Sequence, residues 1–291
     1  MTASDIILAF QLHPWLLYTG AVALGLLVGS FLNVVIHRLP IMMEREWKQQ
    51  CEELAGKEPV QQDVYNLVRP RSGCPQCGHK ISAWENIPVI SYLLLGGRCA
   101  GCKTRISPQY PLVELLSAAL SAWVISRFGP GLAGFSALLL TWALIALSVI
   151  DIRHTLLPDD ITLPFLWLGL LCSIAGIHSS PVDAILGAAL GYGSLYVIFH
   201  VFKWVTGKDG MGFGDLKLFA LFGAWLGWQA LPGIILLSSL VGAVSGLALI
   251  LFAGRNRQLP IPFGPFLSVA GWLYLMYGKS INEAYLNWMK I

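Results

Sequence analysis

Charge is the scarce commodity in this sequence. Asp, Glu, Lys and Arg make up 12% of its 291 residues, while 56% are hydrophobic. A water-soluble domain carries about 25% charged residues, so an ordinary soluble enzyme is excluded and a membrane protein is indicated. The basic excess is small as well, a net charge of +3, which argues against nucleic acid as a partner. Ser and His occur without the G-x-S-x-G elbow of serine catalysis. No Lys or Arg precedes the first apolar run in MTASDIILAFQLHPW, and no small residues mark a cleavage site. That run is therefore expected to be a retained span rather than a removable signal peptide. Low-complexity tracts and internal repeats are also missing.

Long apolar runs, in contrast, are plentiful. A span needs about 20 mostly apolar residues, and candidates lie at 15–36, 111–128, 132–151, 161–178, 184–203, 216–230, 233–253 and 261–278. The sixth is short and Gly-rich, so the count is eight, with seven as the alternative. Lys and Arg favour the cytoplasmic side. With the N-terminus outside, sixteen of them fall inside: ten in 38–110, then Arg153, Lys203, Lys208, Lys217, Arg255 and Arg257. Only Arg127, Lys279 and Lys290 remain outside. This asymmetry favours an even number of spans with both termini on the outer side. The expected fold is an all-α polytopic membrane protein of about eight transmembrane helices. Its parts are a first helix (1–37), a cytoplasmic segment (38–110) and a membrane domain (111–291).

The cytoplasmic segment opens with IMMEREWKQQCEEL, read as a short solvent-facing helix ending near Gly56. Four of the six cysteines follow as CPQC and CAGC, with 21 residues between the pairs. That gap is one residue beyond the usual range for paired CxxC zinc sites. Each CxxC turn can point two thiolates at one ion, so Cys74, Cys77, Cys99 and Cys102 are the expected ligands of Zn²⁺ in a small zinc-ribbon-like domain. Four thiolates close the coordination shell, so the expected role is structural. Cys51 and Cys172 lack partners at ligand spacing.

Two aspartates stand at the membrane edge. Asp151 ends the third apolar run, and Asp215 opens the sixth after three glycines in GMGFGD. Ionised groups beside hydrocarbon are normally kept for function. Two such carboxyls, if their helices pack together, would share one proton, which suits general acid–base hydrolysis of an amide. The local alternatives are that Asp215 caps its helix and that Asp151 pairs with Arg153 or His154. Asp159 and Asp160 are natural caps for the fourth run. Glu114, one turn inside the second run, is either functional or a complement to the helix dipole. His200 reads as a packed or edge residue, and Lys217 as an interfacial snorkel.

Taken together, GSFLNVVIHRLP (29–40), the CxxC pairs around WENIPVISYLLLGGRC (84–99), YPLVELL (110–116), DIRHTLLPDDITLP (151–164) and GMGFGDLKL (210–218) resemble the bifunctional type IV prepilin peptidases of Gram-negative bacteria. The resemblance runs from about residue 20 to PIPFGPFLSVAGW (260–272). It implies a GxGD-type aspartic protease of the bacterial inner membrane that removes a basic leader from type IV prepilins and type II secretion pseudopilins. It also implies Asp151 and Asp215 as the catalytic pair, with Gly212, Gly214 and Asp159 in support. A second reaction follows from the same resemblance alone: N-methylation of the new N-terminus with S-adenosylmethionine. That reaction is associated with the cysteine segment and with Gly97, and Glu114 stands beside Gly97 as a cofactor-binding candidate. Two other readings stay open, a proton- or cation-coupled carrier that uses the aspartates as a relay, and a peptidase without methylase activity.

Overall fold

The computed structural model describes residues 13–57, 63–253 and 262–289. The expectations for the N-terminal run before residue 13, for Arg255, Arg257 and Lys290, and for the start of the last span at 261 lie outside the described residues. Among those residues there is no strand, only two isolated bridges, Gly73 with Lys80 and Arg98 with Arg105. The chain forms two compact units, one up to Pro130 and one from Gly131.

The first unit is built on α1 (Pro14–Leu54) and α3 (Gln109–Phe128), with the short α2 (Ile90–Leu94) in the segment between them. Sequence reading separated a span at 15–36 from a polar helix after it, but α1 is one continuous helix of 41 residues with Pro40 inside. At 1.5 Å per residue it is about 60 Å long, roughly twice the hydrocarbon thickness, so it projects well beyond a bilayer. Proline removes one bond of the helical ladder. The residues after it (Met, Glu, Arg, Lys, Gln) are strong helix formers that carry the helix on. Gly25 and Gly29 bring α1 against α3. A Cβ on Gly25 would stand 2.6 Å from the Ala118 Cα, and one on Gly29 would stand 2.7 Å from the Glu114 Cα. Small residues at four-residue spacing let membrane helices approach this closely.

The second unit contains α4 (Leu132–His154), α5 (Asp159–Ile174), α6 (Pro181–Thr206), α7 (Phe213–Leu226), α8 (Leu231–Ala253) and α9 (Gly264–Met289). Apart from Lys217, helix α7 is apolar on all sides and buried from Leu216 to Trp225. A helix of that kind belongs in the centre of a bundle, and α5, α6 and α9 pack around it. Helix α9 also packs on α4. Gly187 of α6 and Gly223 of α7 face each other where any Cβ would strike the other's backbone. The Trp225 indole N–H donates to the Phe165 carbonyl (2.8 Å), tying α7 to α5.

Among the described residues the eight expected apolar runs fall largely on helices, but length and apolarity support five crossings there: α1, α3, α4, α6 and the stretch Trp228–Ala248 that includes most of α8. The fourth and sixth runs form α5 and α7, of 16 and 14 residues. These are about 24 and 21 Å long, less than the ~30 Å hydrocarbon core. The structure is that of an all-α, multi-pass membrane protein.

Candidate functional site

Asp151 lies in the last turn of α4, which Thr155 closes in the left-handed region (φ +50°) by donating its N–H to the Asp151 carbonyl (2.9 Å). Asp215 lies in the first turn of α7, which starts at Phe213 after the glycine loop. Both side chains are buried, at 5% and 7% exposure. Leu157 links their surroundings, since it lies against Gly214, the neighbour of Asp215, and against Gly264, which touches Asp151. Asp215 Oδ2 accepts the Gly212 N–H at 3.3 Å, so the capping role holds alongside its place in the pair. Neither Arg153 nor His154 forms an ion pair with Asp151. Its Oδ2 accepts the N–H of Gly264, the first residue of α9, at 2.9 Å.

The glycines have separate tasks. A Cβ on Gly214 would lie 2.7 Å from the Leu157 Cβ, and one on Gly264 would lie 2.6 Å from Asp151 Oδ2. Both positions are closed to any side chain. A Cβ on Gly212 would meet nothing nearer than 3.7 Å, and the residue is exposed, which leaves room beside it for an incoming chain.

Asp159 and Asp160 sit in the first turn of α5, yet neither side chain caps it. The Asp159 carboxylate instead receives the Lys217 ammonium through both oxygens, at 2.8 and 2.6 Å. Lys217 is therefore a partner to α5 rather than a free snorkel. It follows Asp215 by two residues, so the ion pair fixes the start of the helix that carries the buried acid. Sequence reading missed both Lys217 and Gly264 as site residues. The only local signals were the Lys in GDLKL and the Gly in PIPFGPF. His200, exposed and edge-on to Tyr196, takes no part.

In the first unit the four cysteines converge, with all four sulfurs within 4.8 Å of one another. Cys74 and Cys102 are 3.7 Å apart, and Cys77 and Cys99 are 3.9 Å apart. A tetrahedral Zn²⁺ with ~2.3 Å bonds to sulfur requires edges of about 3.8 Å, so this donor set fits the ion. The two turns are copies of one motif. Cys74 N–H donates to the His79 carbonyl (2.9 Å) and Gly78 N–H to the Cys74 carbonyl (2.9 Å). Likewise Cys99 N–H donates to Thr104 (2.8 Å) and Lys103 N–H to Cys99 (3.1 Å). Gly78 and Lys103 both have positive φ, at +69° and +62°. His79 also meets the Glu85 carboxylate at 3.0 Å. The Ser82 N–H, with His79 behind it, holds the Glu85 carboxyl down to about 2.

Gly97 (φ +66°) turns the chain with its Cα against the Tyr92 ring, 3.0 Å from where a Cβ would be. It borders a cleft of about 580 Å³ that Arg98, Arg105 and Ser107 also line. Glu114 is buried, and its Oε2 accepts the Val89 N–H at 2.7 Å.

Residues 23–128 match the bacterial peptidase A24 N-terminal domain, and residues 138–247 match the type IV leader peptidase family. The chain belongs to the type IV leader peptidase family. Its relatives include a prepilin leader peptidase/N-methyltransferase of Pseudomonas aeruginosa, 54% identical over 94% of this chain and 95% of the relative. A namesake from Aeromonas salmonicida is 52% identical over 94% and 95%. One from Burkholderia pseudomallei is 48% identical over 89% and 84%. No solved structure matches the chain.

Proposed function

We propose that this chain is a membrane aspartic endopeptidase that removes the leader of type IV prepilins and type II secretion pseudopilins and then N-methylates the new N-terminus. What supports the first reaction is that Asp151 and Asp215 are both buried at the ends of their helices, with Leu157 against the glycine beside each of them. A prepilin presents an apolar helix in the bilayer and a basic leader outside it, so its scissile bond meets the enzyme at the membrane edge. The Lys and Arg asymmetry supports the cytoplasmic edge, with both termini periplasmic and residues 38–110 cytoplasmic.

In this mechanism one aspartate is ionised and its partner protonated, as suits two coupled carboxyls. The carboxylate takes a proton from water as the oxygen attacks the scissile carbonyl, and the protonated partner donates to the carbonyl oxygen. As the gem-diol collapses, one of its hydroxyls returns a proton to the aspartate that donated it, the C–N bond breaks, and the proton first taken from water goes to the leaving amine. Gly264 holds Asp151, and Gly212 leaves room for extended substrate backbone. The Lys217–Asp159 pair holds the entry of α7.

We assign residues 38–110 to methyl transfer and 111–291 to the peptidase, the first helix being residues 1–37. Cys74, Cys77, Cys99 and Cys102 would hold a structural Zn²⁺, whose shell they close. S-adenosylmethionine would supply the methyl group. The cleft beside Gly97 lies within the usual ligand-site range of roughly 300–1,000 Å³, and Arg98 and Arg105 offer partners for a carboxylate. Glu114 would act from behind this wall through Val89.

The deciding experiment is mass spectrometry of a prepilin incubated with the purified chain and S-adenosylmethionine, beside the Asp151→Asn and Asp215→Asn variants. Loss of the leader plus one methyl group is expected with the parent chain. Each variant should insert normally and leave the leader in place. Full cleavage by either variant removes the pair from the mechanism, and cleavage without methylation by the parent chain reduces the enzyme to a peptidase.

A further inference from the structure

The cysteine-bearing segment does not present a uniformly polar surface. Trp84 is 81% exposed, Leu93 71% and Leu94 83%, and Ile90 beside them is also exposed. Contiguous exposed apolar side chains of this size mark a surface that something covers. A hydrogen bond fixes the depth at which they sit. The Val89 N–H reaches Glu114 Oε2, and Glu114 lies five residues into α3, about 7.5 Å along its axis. The backbone is bent to make that contact. Ile90 N–H closes on the Pro88 carbonyl at 2.6 Å around Val89 at φ +61°, a γ-turn that a β-branched residue adopts only under strain. A second tie joins the Ile106 N–H to the Gly97 carbonyl at 2.7 Å, just before α3 begins. The two ends of α2 are thereby tied to the start of α3, where Leu112 and Leu116 are themselves exposed.

We propose that α2, together with Trp84, is an interfacial anchor whose apolar side chains enter the boundary between headgroups and acyl chains beside α3. The occupant is phospholipid. Its apolar face continues the exposed flank of a membrane-spanning helix, at a level set by Glu114. Tryptophan is also the side chain most at home at that boundary. Five residues are too few to cross, so α2 lies in the interface and does not span it. Part of the 38–110 segment is thus seated in the membrane, and the metal-binding turns before and after it are held at the surface. This inference rests on the multi-pass membrane fold and not on the proposed reactions.

The test uses the full chain in phospholipid nanodiscs, with benzoylphenylalanine replacing Leu94, Leu116 as the lipid-facing reference, or Lys103 as the water-facing reference. After irradiation, intact-mass analysis reads phospholipid adducts. The yield at 94 should approach that at 116 and exceed that at 103 by about ten-fold, as expected for a residue at the interface. A yield at 94 no higher than at 103, or cross-links from 94 to protein instead of lipid, overturns the proposal. An unmodified chain supplies the second measurement should the Leu94 variant fail to insert. Hydroxyl-radical oxidation in nanodiscs should mark Trp84 less than Trp47, although Trp84 is the more exposed within the protein. The reverse order also overturns it.

Discussion

The Gly264 amide donates to Asp151 Oδ2 at 2.9 Å, so the first residue of α9 holds an acid at the far end of α4. The contact spans 113 positions of sequence and has no room for a side chain. Gly264→Ala should therefore lower the cleavage rate by about 100-fold, the scale of a 1 Å displacement of a reacting group. Gly193→Ala is the control, because a Cβ there meets nothing within 4 Å. It should keep full activity and gain about 0.5–1 kcal/mol of helix stability. Prepilin cleavage rates and thermal unfolding in detergent compare the two.

Lys217 and Asp159 form the second support of the site. Both are partly exposed, so the pair contributes no more than about 1 kcal/mol to stability. Its effect should appear in catalysis instead. Lys217→Met or Asp159→Asn should reduce kcat for cleavage by roughly 10- to 100-fold, with KM little changed. The exchanged variant Lys217→Asp/Asp159→Lys should recover much of the loss. Steady-state kinetics on a prepilin peptide would show it, and absence of recovery would mean that the two residues act separately.

The cysteine cluster predicts a metal content. Plasma emission analysis should find one zinc per chain and much less in Cys99→Ser, since each structural ligand completes a closed shell. Because metal binding is coupled to folding in such modules, stripping zinc with a strong chelator should abolish methylation. Cleavage should decline less, because the paired aspartates belong to the unit that begins at Gly131.

Gly97 separates the two reactions further. Any side chain there meets the Tyr92 ring on a backbone already at φ +66°. Gly97→Glu should depress methyl transfer well below cleavage, read as methylated and unmethylated product in one mass spectrum. Equal loss of both activities would show that the substitution only disrupts folding.

Much of this protein was legible before any coordinates. The dearth of charge and the long apolar runs set a helical membrane fold, since lipid leaves backbone groups no partner except the helix itself. The CxxC spacing announced the convergence of four cysteines, because each two-residue turn can point two sulfurs the same way. Asp151 and Asp215 stood out because a carboxylate beside hydrocarbon demands a reason. These are local properties, carried by composition and by neighbours a few positions apart.

What only the tertiary structure decided lies in contacts between distant segments. Nothing beside Gly264 says that its amide will meet Asp151, and nothing beside Lys217 says that it will bind Asp159, 58 positions earlier. The local reading made Asp159 a helix cap and Lys217 a snorkel, because those are the roles available to an isolated helix end. The same limit split α1 after residue 37, where the sequence turns polar but the helix does not stop. Polarity says where the bilayer ends, whereas helix length depends on backbone hydrogen bonds that continue into water. Side-chain pairing across the bundle depends on which helices become neighbours, and the close packing of glycines on α6 and α7 helps to settle that only once the chain has folded.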